Sequence, residues 1–146
     1  MIEISSKIRY SLLALLELVR CYEQEEFLQI EQIASCQQIP DRYLGQIFML
    51  LRRCGIVRSQ RGVKGGYQLG KAPHEITVLE ILTCLEGSGI QEQWEYTEST
   101  SMDNMIIQEV WQQASKAAMT VLGRYTLKDL YEKQQERQRF NPMYYI

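Results

Sequence analysis

From Ser6 to about Tyr22 apolar residues return every three or four positions, at Ile8, Leu12, Leu15, Leu16 and Val19. That spacing predicts an amphipathic helix whose inner stripe is core. A polar break follows at Glu23-Gln-Glu-Glu26, and a shorter helix over Ile30 to Gln37 carries Ile33 and Ala34 on one face. Gln38-Ile-Pro40 interrupts it. Proline is tolerated in the first turn of a helix, where its missing N–H costs nothing, and Asp41 complements the positive end of the helix dipole. A third helix should therefore start near Pro40. It sets Leu44, Ile47, Phe48 and Leu51 on one side and Arg42, Tyr43, Gln46 and Arg53 on or near the other, and Gly55 should end it as a left-handed terminator.

Two helices joined by a tight turn, the second with a polar outer face, make a helix-turn-helix. Ile56-Val57 and Tyr67-Gln-Leu69 can pair as strands around Arg61-Gly-Val-Lys-Gly-Gly66, where glycines permit positive φ and close backbone approach. Helix plus basic glycine hairpin predicts a winged helix. Thr77 followed three residues later by Glu80 has the spacing of a capping box, so Val78 to Leu85 should be helical until Gly87-Ser-Gly89.

Ile90 to Asp103 has no helical or strand period and reads as a loop, containing Trp94 and Tyr96, where a regulatory site could sit. From Met102 to about Gly123 a long helix carries Ile106, Val110, Ala114, Ala117 and Val121 on one stripe and Ile107, Trp111, Ala118 and Leu122 on the next. So wide a stripe exceeds the needs of one small core, and homodimerisation through Ile106, Val110, Trp111, Ala114, Ala117 and Val121 explains it best. Thr126 and Asp129 suggest the cap of a short last helix, before a polar tail from Gln134 and an apolar end, Phe140-Asn-Pro-Met-Tyr-Tyr-Ile146. The expected fold is mainly α with a small β-hairpin: a winged helix-turn-helix over 1–86, a regulatory-type loop over 87–103, a dimerisation helix and short final helix over 104–131, and a tail over 132–146.

Charge changes this picture from a fold into a surface. The first 72 residues hold ten Lys or Arg against seven Asp or Glu, the remainder six against eleven, and the chain totals −2. Seven of the basic residues (Arg42, Arg52, Arg53, Arg58, Arg61, Lys64 and Lys71) fall in a stretch with no acid, the footprint of a surface that meets a polyanion. No apolar run reaches the roughly 18 residues that span a bilayer, and no secretory leader is evident, so the expected location is the cytoplasm, with no membrane partner.

Cys21, Cys36, Cys54 and Cys84 include no Cys-x-x-Cys pair, and His74 is the one histidine, which argues against a closed zinc site. Each cysteine is expected to act as a small reduced hydrophobe beside a helix; a redox-sensing thiol would be compatible, but no feature selects one. No nucleotide loop, Ser-His-Asp set or carboxylate pair supports an enzyme.

Ser5-Ser-Lys-Ile-Arg-Tyr10, Tyr43-Leu-Gly-Gln-Ile-Phe48, Leu51-Arg-Arg-Cys-Gly-Ile-Val57 and above all the wing Arg61-Gly-Val-Lys-Gly-Gly-Tyr67 resemble the bacterial winged-helix family of the iron-sulfur cluster regulator IscR. That family also includes the nitric-oxide-sensing repressor NsrR and the cysteine-metabolism repressor CymR. The resemblance covers about residues 1 to 131. It implies a homodimeric transcriptional regulator on an inverted-repeat operator in double-stranded DNA, in iron-sulfur, iron, redox or sulfur metabolism. It puts Tyr43 and Gln46 at recognition-helix positions, with Arg42 beside them, and Arg61 at the minor-groove position of the wing. Gln suits adenine, Arg suits guanine, and a guanidinium suits a narrow A-T minor groove. Arg58 and Lys64 are expected on phosphates, and Lys7 is expected to reach the DNA backbone.

Two departures limit the likeness. Gly45 stands where that regulator has an acidic residue, so operator preference does not carry over. Cluster-binding members place three cysteines in the loop before the long helix, and Ile90 to Asn104 has none. No cofactor or metal ligand is therefore expected; a cluster would need an unusual set drawn from Cys84, Glu92, Glu95 or Glu98, or ligands borrowed across a dimer. An unknown effector or protein partner remains compatible with the loop. The rival reading is a winged-helix protein-interaction module without DNA binding.

Overall fold

Ser5 accepts the N–H of Ile8 at 3.3 Å and opens α1 (Ser6–Arg20); of the expected stripe Leu15 and Val19 are buried and Ile8, Leu12 and Leu16 half-buried, and Ser11, Ala14 and Leu18 complete the buried face. The computed structural model describes residues 4–87 and 101–140, so the expected loop lies mostly outside the described residues, as does most of the apolar end. Among them the order continues with α2 (Ile30–Gln37), α3 (Asp41–Arg53), β1 (Val57–Gln60), β2 (Gly66–Leu69), a 3-10 turn (Pro73–Glu75), α4 (Val78–Glu86), α5 (Met102–Arg124) and α6 (Leu127–Phe140).

The turn between α2 and α3 works through Gln38, which adopts the left-handed conformation at φ 56°, and Ile39, which is buried and donates its N–H to the Ala34 carbonyl at 2.9 Å. Pro40 is the cap of α3 rather than its first residue. Leu44, Ile47, Phe48 and Leu51 enter the core together, which leaves the polar side of α3 facing out. Gly55 ends the segment at φ +77°.

The hairpin is antiparallel, pairing Val57 with Leu69 and Gln60 with Gly66. A third edge joins it: Leu28 exchanges both backbone hydrogen bonds with Tyr67, at 2.9 and 2.7 Å. The Tyr67 ring stacks on Phe48 at 4.6 Å, so the wing is anchored to α3 through the core.

Two expectations need correction here. The last helix is not short, because α6 runs through the supposed polar tail to Phe140. Gln, Glu, Lys and Arg are good helix formers, and hydropathy alone undervalues them. Nor does α6 belong with the long helix. Leu127 is fully buried, its N–H bonds the Ile76 carbonyl at 2.9 Å, and α6 packs on α1 and the 3-10 turn. A complete capping box starts it: Thr126 N–H donates to Asp129 Oδ2 at 2.9 Å and Asp129 N–H to Thr126 Oγ1 at 3.1 Å. The chain thus returns to the first domain after α5.

Candidate nucleic-acid interface

With one side of α3 in the core, Arg42, Gln46, Met49, Arg52 and Arg53 are left exposed on the other. Gly45 lies among them, and nothing comes within 4 Å of where its Cβ would be, so the helix has a notch in its open face. Tyr43 sits at the edge of this face, half-buried, with its ring edge-on to Tyr10 at 5.5 Å. Beside it Lys7, Tyr43, Gln46, Ile47 and Leu50 line a cavity of about 260 Å³.

The wing stands next to α3 and is tied to it, Arg52 Nη1 donating to Ser59 Oγ at 3.3 Å. Gln29 Nε2 braces the tip through the Val63 carbonyl at 3.3 Å, leaving Arg61, Val63 and Lys64 in solvent. None of Arg42, Arg53, Arg61 and Lys64 makes an ion pair among the described residues. Their charge is available to a polyanion.

Three expected residues sit differently. Arg58 donates from Nε to Gln68 Oε1 and lies 6.0 Å from the Phe27 ring, so it is held along the hairpin. Lys7 is beside α3, but its ammonium donates to the Leu85 carbonyl at 3.0 Å, a bond that competes with any phosphate contact. Lys71 pairs with Glu80, an acid from outside the acid-free stretch, which withdraws it from the basic surface. That pairing also occupies the carboxylate expected to complete the cap of α4, where Thr77 accepts the Glu80 N–H at 3.0 Å.

The wing glycines serve the hairpin itself. A Cβ on Gly65 would lie 2.1 Å from the Gln60 carbonyl oxygen, and one on Gly66, at φ +137°, would lie 2.4 Å from that of Leu28. The close approach anticipated from these glycines is therefore internal; Gly62, at φ +109°, has open space around it. Sequence pattern alone does not mark Met49, because a methionine in an amphipathic helix counts as core until its neighbours are known. Its signal was its place three residues after Gln46 and three before Arg52.

On α5 the six residues expected at an interface, Ile106, Val110, Trp111, Ala114, Ala117 and Val121, are all exposed, and the helix has no buried residue. Its half-buried apolar residues, Ala118, Met119 and Leu122, lie in the C-terminal half; the helix packs against α4, with Leu79 reaching Gly123. The second predicted stripe is therefore divided between α4 and solvent.

Against known proteins, a family model described as Rrf2, iron-dependent transcriptional regulator, matches residues 4–133. The chain belongs to the Rrf2 family. A candidate HTH-type transcriptional regulator of Synechocystis sp. is 36% identical over 132 residues, covering 88% of this chain and 87% of the relative. The solved structure of IscR from T. potens superposes with a TM-score of 0.78 at 31% identity, covering 94% of this chain and 91% of that one. CymR of B. subtilis follows at 0.75 and 34%, covering 91% and 98%. This Rrf2 protein is thus a winged-helix, DNA-binding transcriptional regulator and not an enzyme.

The cysteines depart from the expectation that all four are reduced hydrophobes. Cys54 and Cys84 form a disulfide with Cα atoms 6.2 Å apart, brought together because α4 packs on α3. Cys21 and Cys36 are free. The Cys21 thiol is pushed above its ordinary value by burial and by the charges of Glu26 and Glu17.

The iron that the family description implies must be weighed against the donors this chain offers. Among the described residues no group of three or more His, Cys, Asp or Glu side chains could hold a metal ion. Cys84 has spent its thiolate on Cys54, and residues 88–100 add carboxylates but neither cysteine nor histidine. These residues do not fit a thiolate-held cluster. No helix among the described residues is long and apolar enough to cross a membrane.

Proposed function

We propose that this regulator acts in the cytoplasm as a homodimer, with α5 of one protomer against α5 of its partner, and binds an inverted-repeat operator. Two copies of α3 enter successive major-groove faces about 10 base pairs apart. Arg42, Tyr43, Gln46 and Met49 meet base edges, Gln46 suiting adenine and the Met49 thioether chain suiting a thymine methyl. Arg61 enters the flanking minor groove, and Lys64, Arg52 and Arg53 meet phosphates. Arg58 and Lys7 support the site from the hairpin and from α1, each giving up its present partner if it turns to phosphate. The relatives support a role in iron-sulfur, iron, redox or sulfur metabolism.

The observation that carries this reading is the surface shared by α3 and the wing, where Arg42, Arg53, Arg61 and Lys64 have no counter-ion among the described residues. The test is selection of operators from genomic DNA, followed by salt titration of variants. Arg61→Ala should cost about 1–3 kcal/mol, mostly at A-T flanks, whereas Lys64→Ala should weaken all sequences alike and lower the salt slope by about one. Wild-type binding by both variants would show that the wing does not touch DNA.

A further inference from the structure

We propose that Cys54 and Cys84 are a reversible thiol–disulfide site, oxidised by low-molecular-weight disulfides, that locks the recognition helix to the helix beside the dimer arm. The proposal rests on the regulator reading above. Cys54 is the C-terminal cap of α3, directly after Arg53, and Cys84 lies in the last turn of α4. Their Cα separation of 6.2 Å is one that a disulfide spans without backbone movement.

Both states are provided for. Cys54 is exposed and Cys84 half-buried, so reagents reach the pair without opening the core. Cys84 Sγ lies 3.3 Å from the Leu50 carbonyl, which gives its S–H an acceptor once the bond is reduced. Where regulators meet cellular DNA, glutathione and thioredoxin keep thiols reduced, and disulfides found there are usually transient or redox-sensing. A permanent staple is the less consistent role.

The chemistry balances by exchange. The thiolate of exposed Cys54 attacks one sulfur of a disulfide RSSR, breaking its S–S bond, forming a mixed disulfide and releasing RS⁻, which takes the proton that Cys54 lost. The Cys84 thiolate then attacks the Cys54 sulfur and expels the second RS⁻, which takes the Cys84 proton. Two protein thiols are oxidised and one RSSR is reduced to two RSH.

The bond bears on DNA binding through packing. α3 packs on α4, and α4 packs on α5, so fixing α3 to α4 also fixes each recognition helix relative to the dimer arm. In a dimer that sets the spacing between the two α3 helices. The oxidised protein holds one spacing, whereas the dithiol form spreads over several and pays for the lower fraction that is competent.

The experiment uses the full chain carrying Cys21→Ser and Cys36→Ser, equilibrated in glutathione and glutathione disulfide at varied ratios. Thiols are counted, peptides are identified by mass spectrometry, and affinity for a selected operator is read by fluorescence anisotropy. The bond should form and reverse with the glutathione ratio, and the oxidised protein should bind roughly three- to tenfold more tightly than the reduced. Adding Cys54→Ser or Cys84→Ser should give the reduced affinity in both buffers. A bond that never forms, a bond that glutathione cannot reverse, or equal affinity of the two states would overturn the proposal. If neither state binds DNA, the regulator reading fails, and the thiol counts still decide whether the site is redox-active.

Discussion

Val110→Glu should convert the protein from dimer to monomer, and the size of the effect follows from what α5 leaves uncovered. Ile106, Ile107, Val110, Trp111 and Val121 are 55%, 56%, 53%, 50% and 48% exposed in one protomer. Burying a large apolar side chain completely contributes about 1.5–3 kcal/mol, so closing the open half of each returns about 1 kcal/mol. Five such residues from each of two protomers give about 10 kcal/mol gross, against an association cost of about 4–15 kcal/mol. The margin is small. Symmetry places the substitution in the interface twice, removing about 2 kcal/mol of burial and adding about 2 kcal/mol or more per carboxylate left unpaired. A total near 6 kcal/mol is roughly a ten-thousandfold loss of dimer affinity.

Sedimentation equilibrium at about 1 mM protein reads this directly: a net of about 6 kcal/mol gives the wild type a Kd of about 40 µM and so mostly dimer, and a roughly ten-thousandfold loss leaves the variant monomeric. Gln112→Glu puts the same charge on the opposite side of the helix and should leave the dimer intact. A wild-type monomer, or a Val110→Glu dimer at that concentration, would refute the assignment of this face. Half-site binding that survives without the cooperative operator complex would show that the variant folds.

Leu127→Ala should destabilise the fold by about 2–5 kcal/mol in denaturant titrations, because a fully buried side chain anchors α6; a cost below about 1 kcal/mol would mean that α6 is not docked there. Met49→Ala should cost about 1 kcal/mol only on operators with a thymine at its position, and deoxyuridine there should mimic the variant. Equal losses on both bases would remove Met49 from base readout. Near pH 8 Cys21 should react with iodoacetamide more slowly than exposed Cys36, since a raised pKa keeps it protonated below that value and the half-buried position hinders access. Equal rates would contradict the buried, acid-flanked environment.

Local rules were enough for much of this protein. Ile8 to Val19, Leu44 to Leu51 and Val78 to Leu85 repeat at helical spacing, Pro40 and Gly55 bracket α3, and Thr126 with Asp129 caps α6; each depends on neighbours within a few positions. The basic stretch and the wing motif, also local, pointed to the surface proposed to face DNA. Contacts between distant positions could not be read this way. Lys7 meeting the Leu85 carbonyl and Cys54 meeting Cys84 arise only when α4 is laid against α1 and α3. The same holds for Gly65 and Gly66, whose missing side chains make room for the backbones of Gln60 and Leu28. The sequence by itself determined where α1 to α5 run, where α6 starts and that a hairpin follows α3, because propensity and periodicity are short-range. Only the tertiary structure decided which apolar faces are used up, as Leu127 is and the Val110 stripe is not, because burial depends on what the rest of the chain brings alongside.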